Sequence, residues 1–301
     1  MTATKSPLLQ GQVVASHGRG GLVELTSGGL LDCSARGKRS GIACGDHVSV
    51  RDSGGGTGVI EAIAPRKSIL SRSDASHEKL TPANVTQAVI VVAPTPSWHD
   101  DLVNRCIAAC EHAGIAPLIV LNKSDLPQSH AAWEALGVYR ALGYSVLHLC
   151  ARQDIGPLAS RLQGEISVLV GQSGMGKSTL INAVIPGSAL RVAETSLALD
   201  SGKHTTTGAR LLHINETSHV IDSPGLQVFG LHHLTLDETT QAFRELREWM
   251  GHCRFRDCTH RSEPDCAVTK ASADGRIAPA RLATYRVLVE ERLRADAGRY
   301  R

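Results

Sequence analysis

Between Gln10 and about Ala64, apolar and polar positions alternate in short bursts cut by glycine: GQVVASH, GLVELTS, GLLDCSA, DHVSVRD and TGVIEAIA. Five short strands with tight turns predict a small β-barrel. An oligonucleotide-binding (OB) barrel fits best, and an SH3-like barrel shares the pattern. The next stretch, RSDASHEKLTPAN, has few apolar positions and reads as a linker. From Thr86 the rhythm changes. TQAVIVVA, APLIVL, SVLHLCA, EISVLV and SHVID read as strands, and DLVNRCIAACEHAG as a helix with Leu102, Cys106, Cys110 and Ala113 on one face. Strands alternating with helices predict a parallel sheet covered on both faces. Beyond Gly230 the period is helical. LDETTQAFRELREWM offers Asp237 as N-cap and a stripe of Phe243, Leu246 and Met250, and a last helix runs through Leu282, Tyr285, Val289 and Leu293. The chain therefore divides into a β-barrel (1–68), an α/β domain (76–231) and a helical domain (232–301).

Composition narrows this picture. The longest apolar run, AVIVVA from Ala88, is too short to span a bilayer. The N-terminus shows no secretory pattern. A cytoplasmic protein without membrane association, with reduced cysteines, is expected. Five of the eight cysteines (Cys33, Cys44, Cys106, Cys110, Cys150) lie among apolar neighbours and read as small buried hydrophobes. The net charge of +3 is spread unevenly, with basic flanks around an acidic centre, which permits phosphate-rich partners. No Phe, Trp or Tyr precedes Trp98, so the barrel is not expected to stack bases. Arg19, Arg36, Lys38, Arg39 and Arg51 would instead meet phosphates of a folded RNA, the alternative being a barrel that only packs on its neighbour.

The strongest chemical signal is GQSGMGKST, comprising Gly171, Gln172, Ser173, Gly174, Met175, Gly176, Lys177, Ser178 and Thr179. It satisfies G-x-x-x-x-G-K-[ST] between a strand and a helix. Glycines let successive backbone N–H groups turn toward phosphate oxygens at a helix N-terminus. Lys177 would neutralise the β- and γ-phosphates, and the Ser178 hydroxyl would ligate Mg²⁺. DSPG follows a later strand, so Asp222 can hold the metal directly or through water, and the Gly225 N–H can sense the γ-phosphate. Between them, GKHTTT can supply a switch threonine to Mg²⁺. Thr206 is the candidate, with the adjacent Thr205 and Thr207 as alternatives.

NKSD, with Asn122, Lys123, Ser124 and Asp125, reads as the base-selecting loop. A carboxylate at Asp125 can accept from guanine N1–H and the exocyclic amine, a pair adenine does not offer. Asn122 can read the opposite edge and brace the loop, and the Lys123 stem can cover the base. LCA, Leu149 to Ala151, is a backbone wall for the base. The order along the chain is thus base loop, phosphate loop, switch threonines, Asp222, which a permuted parallel sheet can gather at its carboxyl edge. Leu226 follows Gly225 where many GTPases carry a water-orienting glutamine, so intrinsic hydrolysis should be slow. His204 is the catalytic candidate together with Thr206, against an uncommitted loop histidine. Gln227 is one residue out of register.

CRFRDCTHRSEPDC carries Cys253, Cys258, His260 and Cys266. Three thiolates and an imidazole at this spacing make a closed, structural Zn²⁺ set with no position left for a catalytic water. Arg254, Arg256 and Arg261 between the ligands can meet phosphate or form a solvated face.

Together these segments resemble the circularly permuted GTPases that depend on the small ribosomal subunit, the RsgA/YjeQ family. The likeness covers the barrel, NKSD, GQSGMGKST, GKHTTT, DSPGLQVFGL and the cysteine cluster. The resemblance implies an OB-fold β-barrel, a circularly permuted G domain and a helical zinc-binding domain. It also implies slow hydrolysis of GTP to GDP and phosphate, stimulated by the small (30S) subunit. Further implications are a role in late maturation of that subunit through its 16S rRNA, a monomer, and a bacterial cytoplasm. Two other functions fit some of the same residues: an RNA-binding scaffold gated by GTP with incidental hydrolysis, and a GTP-dependent metal-handling protein suggested by the Cys/His cluster alone.

Overall fold

The computed structural model of the chain describes residues 7–17, 20–36, 41–73, 78–185, 208–223, 231 and 234–299. Five strands, β1 (Leu9–His17), β2 (Gly20–Leu25), β3 (Leu30–Ala35), β4 (His47–Gly54) and β5 (Thr57–Ile63), coincide with the five alternating segments. They pair in the order β1-β2-β3-β5-β4, and β4 returns to β1 through Leu9↔Val50 to Gln12↔His47. The closed ring with a parallel β3–β5 pair is the OB topology, which separates it from the SH3-like alternative. Inward positions Val13, Val23, Leu31, Cys33, Val48, Val50 and Ile60 fill the barrel, and alternate neighbours face out. Of the expected phosphate contacts, Arg36 and Arg51 both pair with Glu61. Arg19, Lys38 and Arg39 lie outside the described residues.

The segment read as a linker is instead a two-stranded antiparallel hairpin, β6 (Ile69–Ser73) with β7 (Glu78–Ala83). Its backbone pairing does not need an apolar face along its whole length. Buried Leu70 and Ala83 anchor it at one end, and Asn84 fastens the exit by donating to the Gly45 carbonyl oxygen and accepting from the Lys67 N–H.

The central sheet is built from β8 (Gln87–Val92), β9 (Ala116–Leu121), β10 (Ser145–His148), β11 (Ile166–Val170), β12 (Arg210–His213) and β13 (His219–Asp222). Its order is β10-β9-β8-β11-β13-β12, parallel except for antiparallel β12. Both faces are buried, so β8 is apolar at nearly every position. Ala88, Ile90 and Val92 face α1 (Asp100–Ala113), whereas Val89 and Val91 face the side of α4 (Gly156–Arg161) and α5 (Lys177–Val184). Two short helices, α2 (Ser129–Ala135) and α3 (Gly137–Ala141), lie between β9 and β10. β12 also pairs with β1 at Ala15↔Arg210, so barrel and central sheet form one continuous ladder.

The C-terminal region holds α6 (Leu236–Gln241), α7 (Arg244–Arg247), α8 (Ala267–Ala273) and α9 (Pro279–Arg299). The N-cap of α6 is Thr235, not Asp237. Its hydroxyl accepts from the Glu238 N–H at 3.1 Å while the Glu238 carboxylate accepts from the Thr235 N–H at 2.8 Å, a reciprocal capping box that leaves Asp237 in the first turn. The expected single helix breaks at Ala242–Phe243, where Phe243 takes an extended backbone and caps α7. That break sends Phe243 and Leu246 into the core while Met250 remains half-buried.

The region is fastened to α1 by polar groups as well as apolar ones. Arg281, 1% exposed, donates to Glu245 at 2.5 and 3.1 Å and to the Asn104 side-chain oxygen at 3.2 Å. Tyr139 also donates to Asn104, whose amide donates to Thr284. Nearby, Arg105 makes a two-pronged pair with Glu291 at 2.8 and 2.7 Å. The zinc-spaced cysteines therefore belong to a unit held against one helix of the α/β sheet.

Candidate nucleotide site and metal centre

The phosphate-type loop joins β11 to α5 at the carboxyl edge of the parallel sheet. Burial of Val168, Leu169 and Val170 fixes the strand, and α5 begins where Gly176 adopts φ +95°, a conformation that suits glycine. A side chain at Gly176 would collide with the Asn122 amide, so the position is constrained by space as well as by backbone. Lys177 folds over the loop and donates to the carbonyl oxygens of Gly171 and Gln172 at 2.6 and 2.8 Å. Burial lowers its pKa, an effect opposed by the Asp222 carboxylate. Ser173 and Ser178 are exposed, Met175 is fully buried beneath the loop, and Thr179 is half-buried.

The base-type loop follows β9, two strands away in the sheet. Asn122, 2% exposed, donates to the Met175 carbonyl oxygen at 3.0 Å and accepts from the Ala151 N–H at 3.1 Å. It braces three loops at once, and both ends of its side-chain amide are engaged with protein. Lys123, at φ +61°, donates to the carbonyl oxygens of Thr95 and Gly174, both at 2.7 Å. The Ser124 N–H donates to the Leu149 carbonyl oxygen at 3.1 Å, which brings the Leu149–Ala151 wall alongside. Asp125 is exposed, and its surroundings, the Cys150 thiol first and then its own N–H, Arg152 and Lys123, lower its pKa. Cys150 is buried, as expected of a core cysteine.

Asp222 ends β13, opposite Arg210 on β12. Surrounding protein raises its pKa, an effect that Lys177 and Arg210 oppose. The carboxylate therefore lies within electrostatic reach of the phosphate loop. Arg210 was not singled out in the sequence, since β12 is only four residues long. His204, Thr206, Gly225, Leu226 and Gln227 lie outside the described residues.

At the other end of the chain, the ligand atoms of Cys253, Cys258, His260 and Cys266 all lie within 4.8 Å of one another. His260 Nδ1 is 3.4 Å from the sulfurs of both Cys253 and Cys266, and those sulfurs are 3.9 Å apart. Backbone N–H groups of Ala267 and Thr269 point at the sulfurs of Cys253 and Cys266 at 3.4 and 3.5 Å. The loop is shaped by Glu263. Its carboxylate accepts from the N–H groups of Thr259, Arg261 and Ser262 and from the Thr259 hydroxyl. Burial alone would raise its pKa, but these donors outweigh it and lower the value to about 2. Tyr285 and Arg286 of α9 donate to the carbonyl oxygens of Thr259 and His260, tying the loop to the long helix. Four convergent ligands at this spacing can hold a tetrahedral metal ion.

A phosphate loop, a base loop upstream of it and a strand-end aspartate at one sheet edge define a circularly permuted P-loop GTPase. A family model described as RsgA GTPase matches residues 63–232. A small ribosomal subunit biogenesis GTPase RsgA from Nitrosospira multiformis is 47% identical over 285 residues, covering 94% of this chain and 91% of the relative. Its counterpart from Neisseria meningitidis serogroup B is 46% identical over 280 residues, with 93% and 91% covered. Among solved structures, YjeQ from Thermotoga maritima superposes with a TM-score of 0.74 at 29% identity, covering 95% of this chain and 99% of that one. YloQ, described as a circularly permuted GTPase, shares the fold at a TM-score of 0.70 and 23% identity over 97% of each chain. The chain belongs to the RsgA GTPase family and is a GTP hydrolase.

Proposed function

We propose that the protein hydrolyses GTP to GDP and phosphate on the small ribosomal subunit, as a maturation factor that docks on its 16S rRNA. The observation that carries this reading is the contact of base and phosphate loops through Asn122 and Lys123, which lets one nucleotide span both. Asp125 would then take the guanine edge. Lys123 and Ser124 would line the base, with Leu149 to Ala151 as its wall. The backbone from Gly171 to Thr179 and the Lys177 ammonium would hold the phosphates. Ser178, Thr206 and Asp222 would hold Mg²⁺, which neutralises charge on the transferred phosphoryl group. Gly225 would sense the γ-phosphate. Leu226 cannot orient water, so His204 with Thr206, or a group supplied by the docked subunit, would complete the catalytic site.

Zinc is the metal that best suits the Cys₃His set. Zn–S near 2.3 Å and Zn–N near 2.0–2.1 Å in a tetrahedron imply S···S separations of about 3.8 Å and S···N separations of about 3.5 Å. The 3.9 Å between the Cys253 and Cys266 sulfurs and the 3.4 Å from His260 Nδ1 to each of them agree with both. The ion would be structural, closing a loop whose short helices have little core of their own.

The domain limits adopted are 1–68, 76–231 and 232–301, in a monomer working in the cytoplasm. No helix among the described residues is long and apolar enough to cross a membrane. The names of the relatives, small ribosomal subunit biogenesis GTPases, support the choice of partner. The test is GTP turnover of the full chain with and without purified small subunits. Stimulation of at least tenfold is expected. Equal turnover in both arms would favour a GTP-gated RNA scaffold.

A further inference from the structure

The zinc-type loop presents an aromatic side chain that neither the metal nor the core uses. The chain is poor in aromatic residues, at 3%. Among the described Phe, Trp and Tyr residues, Phe255 alone is exposed, at 41%, whereas Phe243, Tyr139, Tyr144 and Tyr285 are buried and the tryptophans are half-buried. Its backbone is held on both sides. Cys253 and Cys258 flank it as metal ligands, and the Phe255 carbonyl oxygen accepts from the Cys258 N–H at 3.4 Å. A ring displayed on a metal-closed turn loses little further freedom on binding, which is what makes a contact surface effective.

The neighbours are cationic. Arg254 places its guanidinium 5.5 Å from the Phe255 ring centroid and pairs with Asp265 at 3.0 Å, both partners being two-thirds exposed. An exposed pair of that kind contributes little and exchanges readily for a phosphate. Arg256, next in the chain, is exposed, and Arg261 is half-buried beyond the next ligand. Exposed aromatic rings with arginines adjoining them in the chain match unpaired nucleotides. The base stacks on the ring, and the guanidinium groups meet the backbone phosphates.

We propose that Phe255 is a base-stacking platform, on which an unpaired nucleobase of the small-subunit RNA lies while Arg254 and Arg256 contact the adjoining phosphates. This deepens the reading given under Proposed function and rests on it. The barrel, with no aromatic residue, would follow the folded RNA backbone, and the zinc loop would supply the contact to a splayed base.

The experiment compares the zinc-loaded full chain with Phe255→Leu, Phe255→Tyr and Phe255→Trp. Affinity is measured for purified small subunits and for protein-free small-subunit RNA, alongside zinc content and GTP turnover without subunits. Phe255→Leu keeps apolar bulk but has no ring face, and should bind both probes roughly 5- to 100-fold more weakly. Phe255→Tyr and Phe255→Trp should bind like the parent, and zinc content and unstimulated turnover should not change. Parent-like binding by Phe255→Leu would overturn the proposal. So would a loss on subunits but not on protein-free RNA, which would seat the ring on a ribosomal protein, and so would loss of zinc, which would assign the ring to the fold. If the parent itself binds neither probe, the proposed function fails first.

Discussion

Asn122 donates from its side-chain amide to the main-chain carbonyl oxygen of Met175, 3.0 Å away, so the loop that would choose the base and the loop that would hold the phosphates share a buried hydrogen bond. Two short segments, far apart in the chain and in inverted order, become neighbours through this side chain. Asn122→Ala removes both that bond and the one from Ala151, leaving a buried carbonyl and a buried N–H without partners. Each orphan costs about 1–3 kcal/mol. Affinity for GDP and GTP should fall at least tenfold in titrations with a fluorescent nucleotide, and thermal unfolding should shift downward.

Much of this arrangement was legible from residue spacing. The five barrel strands were visible because each buries one face, so alternation survives in the letters. The phosphate loop and the Cys/His set were visible because their chemistry permits few other residues. The hairpin at Ile69–Ala83 was not visible, since its pairing is made by backbone groups that any side chain can accompany. The α6 cap was misplaced by two residues, although Thr235 and Glu238 spell a capping box. Asp237 is an equally good N-cap by type, and only the reciprocal bonds decide between them. Arg281 could not have been placed in the core from sequence. A charged residue is buried only when partners such as Glu245 and Asn104 arrive from distant segments.

The buried Arg281–Glu245 pair makes its own prediction. Glu245→Ala leaves a guanidinium uncompensated in the interior and should destabilise the chain by about 3–5 kcal/mol, read from denaturant midpoints. Replacing both residues, as Glu245→Leu with Arg281→Met, should recover most of that loss, because apolar groups of similar size need no partner.

Removal of the metal should act locally. Cys258→Ala, or chelation, should release one zinc per chain by mass spectrometry and loosen the loop that Glu263, Tyr285 and Arg286 support. Because α1 and α9 remain joined through Arg105–Glu291 and Asn104–Thr284, nucleotide affinity should stay within about threefold of the parent.

Lys177→Ala should abolish tight GTP binding while leaving the fold intact, since among the described residues its ammonium group donates only to the loop carbonyls of Gly171 and Gln172. Equilibrium dialysis against GTP, with circular dichroism as the control for folding, checks both halves.

The most direct measurement is base preference in Asp125→Asn. If the base loop and the phosphate loop form one guanine pocket, the parent should bind GTP far better than xanthosine or adenosine triphosphate. The variant should lose roughly a hundredfold in GTP affinity and gain affinity for xanthosine triphosphate, whose O2 is matched by the new amide donor. A variant that still selects GTP, or a parent that prefers ATP, would contradict the shared guanine site proposed above.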